Sequence, residues 1–200
     1  MSALPFEQVT PFPVPQAGRW TAADLDRMPD NGLRYEVLNG QLIVNAAPKP
    51  RHQWLIKRLE RALDDALPDD RFVLAGVGVL IGDDEPIPDL TVARGPVPMD
   101  DRGVAVADVE LVVEVVSSLT TLQDRMVKPA FYAAAGIPNY WRIEINPFKG
   151  RLPAEDLPVL FVYSLDDLGE YQLAHRVPAG QPVALRSPFE FTVDTAAWLR

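Results

Sequence analysis

The chain has 200 residues, of which 48% are hydrophobic and 24% charged, a composition typical of one globular domain with a single core. It has no cysteine, which excludes disulfide scaffolds, thiolate zinc sites and cysteine nucleophiles and fits a reducing cytoplasm. The net charge of −9 argues against a protein that simply coats nucleic acid, and no apolar run approaches the roughly 20 residues of a membrane span.

The N-terminus predicts an arm followed by a short helix. Residues 1–18 are rich in proline and lack periodicity, so we expect an extended arm in front of a single domain over residues 19–200. Thr21 stands where the N-cap of a short helix would be, and Asp24, three residues later, makes an imperfect capping box.

The rest of the chain predicts a mixed α/β domain with one central sheet. "RYEVLNGQLIV" (34–44) predicts a hairpin, because Asn39-Gly40 is the signal of a type I′ turn between two apolar-rich runs. Apolar periodicity and turn residues predict helices over 51–67 and 122–136, strands over 71–82, 88–94, 109–116, 139–145, 158–165 and 170–177, and a short helix over 194–200. This order is typical of a sheet flanked by helices.

Positive charge is concentrated in residues 49–61. This stretch holds five basic residues against Glu60, a local charge of +4 that leaves −13 on the rest of the chain. The basic residues are Lys49, Arg51, Lys57, Arg58 and Arg61.

Three carboxylates stand inside apolar strands. Glu114 lies within "DVELVVEVVSS" (108–118), Asp89 directly follows Pro88, and Glu36 lies in the first strand of the hairpin. Burying one unpaired carboxylate is costly, and three brought together would repel one another. A hard divalent cation such as Mg²⁺ removes that conflict, so the set favours a metal site.

Each carboxylate also has a simpler interpretation. Glu36 fits a sheet-edge residue that is ion-paired or solvated, and Asp89 fits a turn residue after proline. Glu110, at the start of the same strand as Glu114, is interpreted as solvated.

The residues resemble a known family. "PDL" followed 25 positions after Asp89 by a glutamate in an apolar strand resembles the PD-(D/E)XK nuclease superfamily. The blocks that surround these residues resemble the Uma-type restriction endonucleases, formerly a domain of unknown function, from about residue 20 to about residue 175. In order, the blocks are "RYEVLNGQLIV", "PRHQWLIKRL", "IPDLTVAR", "ELVVEVVSSLT" and "DRMVKPAFYAAAGIPNYWRIE".

The resemblance implies a restriction-endonuclease-like fold and metal-dependent hydrolysis of phosphodiester bonds in DNA. It makes Asp89 and Glu114 ligands of Mg²⁺ or Mn²⁺, and Glu36 the acidic residue from the preceding element, which completes the shell or holds a second ion. His52 falls where the family pattern has a histidine, and we expect it to contact phosphate or to bond backbone at the helix start. Lys57, Arg58 and Arg61 would contact backbone phosphates, and a homodimer is expected.

The chain departs from the superfamily pattern at the lysine of the E-X-K motif. That position, two residues after Glu114, is Val116. In the resembling family the lysine is displaced to the following helix, where this chain has Lys128. Lys128 shares a helical face with Asp124 at i, i+4 spacing, so a surface ion pair is the simpler interpretation. Pro129 predicts that the helix either begins or kinks there.

Two other functions remain open from the sequence. The missing strand lysine, Pro129 and the net acidity favour a catalytically inactive module that acts in DNA binding or protein interaction. A metal-dependent hydrolase of small phosphoesters is the second alternative. Tyr140 and Trp141 are expected to fill the core.

Overall fold

A computed structural model of the chain describes residues 12–15, 18–117 and 121–199. In these residues the helical elements are a 3₁₀ helix (Ala22–Arg27), α1 (Pro50–Asp64), a 3₁₀ turn (Val106–Asp108), a π-helical turn (Gln123–Val127), α2 (Lys128–Ala134) and a 3₁₀ turn (Thr195–Leu199). The strands are β1 (Arg34–Leu38), β2 (Gln41–Asn45), β3 (Arg71–Ala75), β4 (Val79–Leu80), β5 (Leu90–Arg94), β6 (Val104–Ala105), β7 (Val109–Val116), β8 (Asn139–Glu144), β9 (Val159–Leu165), β10 (Tyr171–Val177), β11 (Val183–Leu185) and β12 (Phe191–Val193).

Six of these strands form the central sheet, in the order β10-β9-β8-β7-β5-β3. Neighbouring strands are antiparallel except β7 and β8, which are parallel and are connected through the helical segment that ends in α2. All eight residues of β7 are buried. A strand that is covered on both faces has a nearly continuous apolar sequence, which explains why valines dominate β7.

The two faces of β7 belong to separate cores. Leu111, Val113 and Val115 pack with the apolar side of α1 and with residues near the C-terminus. Val112 packs on the opposite face with Tyr132 of α2. This separation follows from the alternation of side chains along a strand.

The predicted hairpin is confirmed as β1–β2, with Asn39 and Gly40 at φ values of 54° and 70°. Two positive φ values are what a type I′ turn requires. The hairpin lies outside the central sheet and is joined to the segment before β5 by reciprocal backbone hydrogen bonds between Val37 and Glu85, of 3.2 and 3.0 Å. That junction places β1 beside the edge at which β5 begins.

Some elements differ from those predicted. The single strand predicted over 71–82 is wrong, because the chain turns at Gly76 (φ 62°) and β4 pairs with β6 rather than with the main sheet. The short helix after Thr21 is a 3₁₀ helix, and its capping box is present: the Thr21 backbone N–H donates to Asp24 at 2.9 Å. The pairing of β11 with β12 was not predicted.

The interpretation of Glu110 as solvated is wrong. Its side chain is buried and accepts hydrogen bonds from the guanidinium groups of Arg71 and Arg94 on the neighbouring strands. No sequence pattern indicated this pairing, because both arginines lie at the ends of other strands, far from Glu110 along the chain. Tyr140 and Trp141 are fully buried, as predicted.

Most of the predicted N-terminal arm lies outside the described residues. Of residues 12–15, Phe12 contacts Trp20 and Tyr35, and the Val14 carbonyl accepts a hydrogen bond from Arg27 at 3.1 Å. The division into an arm and one domain stays a prediction. Among the described residues, no helix combines the length and apolar character needed to cross a membrane.

Candidate active site

Asp89 and Glu114 meet where β5 begins and β7 ends. The antiparallel register pairs Leu90 with Val113, so the residue before β5 lies beside Glu114. The Val115 backbone N–H donates to Asp89 Oδ2 at 2.8 Å, which fixes this arrangement. Both carboxylates line a cavity of about 210 Å³, together with Asp124 and Lys128.

Glu114 is buried, and its Oε1 accepts two side-chain hydrogen bonds from the segment that follows β7. Lys128 Nζ donates at 3.0 Å and the Tyr132 hydroxyl at 2.8 Å. The same ammonium lies 3.6 Å from Glu36 Oε2. Lys128 is itself buried. Its side chain therefore does not lie at the protein surface, where the spacing had suggested an ion pair with Asp124.

A π-helical turn sets the direction of Lys128. The backbone N–H of Lys128 reaches back five residues to the Gln123 carbonyl, and α2 begins at Lys128 with Pro129 in its first turn. Proline is tolerated there because N–H groups of the first turn have no partner within the helix. The backbone is already helical before Pro129, so the irregularity predicted there takes the form of a π-helical turn that leads directly into α2, and the lysine points into the fold. Val116 occupies the predicted motif position, buried and uncharged.

The charges of this cluster are not balanced. Burial raises the pKa of the Glu114 carboxyl well above its ordinary value; the Lys128 ammonium lowers it, and three neighbouring carboxylates raise it further. Those carboxylates are Asp124, Asp89 and Glu36. Burial alone would lower the pKa of Lys128, but the same carboxylates and Glu114 more than offset burial and raise it, so the ammonium stays charged.

His52, near the start of α1, is buried and lies against Asp89. Its Nε2 is 3.2 Å from Asp89 Oδ2 and 3.1 Å from the Val115 carbonyl oxygen. Burial lowers the pKa of His52, but the hydrogen bond and charge of Asp89 outweigh it and raise the pKa. Because Nε2 is engaged within the protein, the predicted phosphate contact through that nitrogen is not favoured, and the role of His52 stays a prediction.

Glu36 approaches the cluster from the hairpin, but protein donors occupy both of its oxygens. Asn45 Nδ2 donates to Oε1, and the Ile87 backbone N–H donates to Oε2, each at 2.8 Å. The geometry favours Glu36 as a partner of Lys128 over the predicted role of a metal ligand.

The donor set fits a divalent cation held by few protein groups. In the residues that the structure describes, no three His, Cys, Asp or Glu side chains form a group that could hold a metal ion. Asp89 and Glu114, however, line the same cavity, and no described donor reaches Asp89 Oδ1 or Glu114 Oε2. Mg²⁺ keeps several waters and commonly binds through one or two carboxylates, so this pair suits it.

The basic residues divide into two groups. Lys57, Arg58 and Arg61 are exposed on α1 and do not line the cavity. The cavity wall instead contains cations and amides that the sequence did not single out as site residues: Arg34, Lys49, Arg51, Asn45 and Asn146. Lys49 and Arg51 belong to the basic stretch and Arg34 shares a strand face with Glu36, so a signal existed for these three; none pointed to Asn146.

Comparisons with known proteins agree with the fold. A solved structure described as "a putative nuclease belonging to DUF820 from Anabaena variabilis" is similar with a TM-score of 0.66 and 14% identity, over 90% of this chain and 99% of that one. At this identity the similarity shows a shared fold. No curated protein matches. The model of the Uma2 family, described as "Putative restriction endonuclease", matches residues 22–196, and the chain therefore belongs to that family.

Proposed function

We propose that this chain is a metal-dependent nuclease that hydrolyses phosphodiester bonds in DNA. The observation that carries the proposal is the cluster of Asp89, Glu114 and Lys128 around one cavity, with the buried Lys128 ammonium 3.0 Å from Glu114. A carboxylate pair beside a lysine is what phosphoryl chemistry needs, because a cation must balance the negative charge that develops on the phosphate. The family description supports the same chemistry.

Asp89 and Glu114 would hold Mg²⁺ or Mn²⁺. When bound, the ion polarises the scissile phosphate and lowers the pKa of a bound water. The chain's own contribution is to fix the other groups around the phosphate. Lys128 presents its ammonium to the cavity, and Glu36 and Glu114 restrict its position from two sides. A fixed ammonium needs no reorganisation as charge develops, which is how such groups accelerate reactions.

DNA would reach the cavity along its basic wall. Arg34, Lys49 and Arg51 line the cavity, and Lys57, Arg58 and Arg61 continue the positive charge along the exposed side of α1. Contacts of these cations with phosphates would be independent of base sequence and would weaken as salt rises. They also offset the repulsion between the polyanion and a chain of net charge −9.

The test is cleavage of supercoiled plasmid DNA in the presence of Mg²⁺, Mn²⁺ or a chelator. We expect nicked and linear products with either metal and none with the chelator. Asp89→Asn should abolish cleavage, because it removes the charge of one metal-binding carboxylate. Asp101→Asn makes the same chemical change at an exposed position outside the cavity, and it should cleave like the parent.

Two outcomes would replace the proposal. DNA binding without cleavage under every metal condition would support a catalytically inactive binding module. Hydrolysis of a small aryl phosphodiester, with plasmid left intact, would support a hydrolase of small phosphoesters. The expected homodimer is checked separately by light scattering of the eluting protein in size-exclusion chromatography.

A further inference from the structure

The two carboxylates of the cluster share one hydrogen-bonding pattern. In each, a single oxygen is engaged by two groups of the protein: Asp89 Oδ2 by the Val115 backbone N–H and by His52 Nε2 at 3.2 Å, and Glu114 Oε1 by Lys128 and Tyr132. No described donor reaches the other oxygen of either group. The protein thus uses one oxygen of each carboxylate to fix its orientation and leaves the second oxygen for the cavity that both side chains line.

On the Asp89 side, the chemistry of the contacts identifies the tautomer of His52. Both neighbours of Nε2, the Asp89 carboxylate and the Val115 carbonyl, can only accept, so Nε2 carries the hydrogen. Nδ1 is then buried without a hydrogen-bond partner among the described residues. An unpartnered buried nitrogen is unfavourable for folding, so stability alone does not account for a histidine at this position.

On the Glu114 side, the hydroxyl of Tyr132 donates to the carboxylate itself. Tyr140 and Tyr171 direct their hydroxyl groups to backbone carbonyls, of Asp124 and Ile137 respectively. The Tyr132 hydroxyl is therefore distinguished from these two by an acceptor that is a side-chain carboxyl group lining the cavity, 2.8 Å away.

We propose that His52 and Tyr132 are positioning residues, which hold Asp89 and Glu114 so that Oδ1 and Oε2 are both available to one divalent cation. The inference rests on the proposed metal-dependent function and assigns to these two residues a part in it. Residues that orient metal ligands in this way are commonly worth about 10–100-fold in metal affinity or activity.

The test is the affinity of the full chain for Mn²⁺, measured by isothermal titration calorimetry without DNA. Tyr132→Phe keeps the ring and removes one hydroxyl, and we expect the dissociation constant to rise about 10-fold or more. The matched control is Tyr171→Phe, which removes a hydroxyl bonded to a backbone carbonyl outside the cavity and should bind Mn²⁺ like the parent.

His52 is tested by a pair of variants. His52→Ala removes the Nε2–H donor and should weaken Mn²⁺ binding by a similar factor. His52→Gln supplies an amide N–H at a comparable distance from the backbone and should restore much of the affinity. A purely structural histidine would instead give two variants that differ in melting temperature and bind Mn²⁺ equally once folded.

The outcomes separate this inference from the proposed function. If the parent binds Mn²⁺ and both Tyr132→Phe and His52→Ala bind it equally well, the positioning role is overturned and the metal site stands. If the parent binds no Mn²⁺, the metal site and the positioning role both fail. Should His52→Ala not fold, Tyr132→Phe and His52→Gln still decide the question.

Discussion

The two ends of β7 place a glutamate on the same face of the same strand, in opposite electrostatic surroundings. Glu110 accepts hydrogen bonds from two guanidinium groups, those of Arg71 and Arg94, and the shorter of its two contacts with Arg71 is 2.6 Å. Glu114 has one ammonium, and that ammonium is shared with Glu36. At the Glu110 end two guanidinium groups balance two carboxylates, because Arg71 also pairs with Asp70, whereas three further carboxylates raise the pKa of Glu114.

This contrast distinguishes a carboxylate whose charge is balanced within the fold from one whose charge is not. A buried glutamate between two arginines is neutralised within the fold and has no further need of a cation. A buried glutamate whose neighbours are mostly carboxylates keeps an excess of negative charge, which only a proton or an external cation can relieve. The cavity lies at the second end and Glu110 does not line it.

The largest difference between the ends should appear when each loses a cation. Lys128→Met keeps the length of the side chain and removes the charge next to Glu114, and we expect the rate of plasmid cleavage to fall by about 10²–10³. Arg94→Met removes a cation from Glu110 and should leave the rate unchanged. Single-turnover cleavage of the two variants measures the comparison directly.

A second variant refines the result for Lys128. Val116 shares the strand face of Glu114, so Val116→Lys combined with Lys128→Met should recover part of the activity if an ammonium from either element reaches the phosphate. Full activity of Lys128→Met alone would remove this lysine from the mechanism.

A smaller difference should appear in the stability of the metal-free protein. Glu110→Gln removes the carboxylate that Arg71 and Arg94 share, and we expect the melting temperature to fall by roughly 5 °C. Glu114→Gln removes one charge from a cluster with too many negative charges, so its melting temperature should fall less or rise. Thermal unfolding followed by tryptophan fluorescence gives both values; an equal loss at the two ends would contradict the contrast in charge balance.

The smallest effect concerns pH. Because burial raises the pKa of Glu114 above its ordinary value of 4.5, the protonated carboxyl stabilises the fold, and this contribution is complete below 4.5 and lost as pH rises through the folded-state pKa. The free energy of unfolding of the metal-free parent should therefore fall relative to that of Glu114→Gln as pH rises from 4.5. Urea unfolding of both proteins across this range measures the difference, and a constant difference would mean that the pKa of Glu114 is not raised.

The sequence predicted elements better than it predicted contacts. The hairpin, α1 and the buried strand β7 follow from local rules, since turn residues and apolar periodicity depend on neighbours in the chain. The break between β3 and β4 was missed because an apolar run of small residues looks the same whether or not Gly76 adopts a positive φ. The pairing of Glu110 was missed because its partners lie on other strands.

The candidate site was predictable in part for the same reason. Glu114, Asp89 and Lys128 were found because each breaks an apolar pattern or matches a family block, and the cavity contains all three. The role of Glu36 depends on the hydrogen bonds that its two oxygens accept from Asn45 and Ile87. No pattern in the sequence predicted these hydrogen bonds. The contact between His52 and Asp89 likewise depends on the angle at which α1 crosses β7, and side-chain packing determines that angle.

The π-helical turn before α2 has a consequence for how the chain tolerates insertions and deletions. A π-helical turn accommodates one residue more than an α-helical turn, so deleting one residue from Gln123–Val127 would let the helix close regularly. The residues before the deletion would then be rotated by about 100° relative to those after it. Lys128 follows Glu114 by 14 positions, and a deletion of this kind would turn the lysine away from the carboxylate although every side chain of the cluster remained. Related chains that use this lysine should therefore align without gaps across Gln123–Val127.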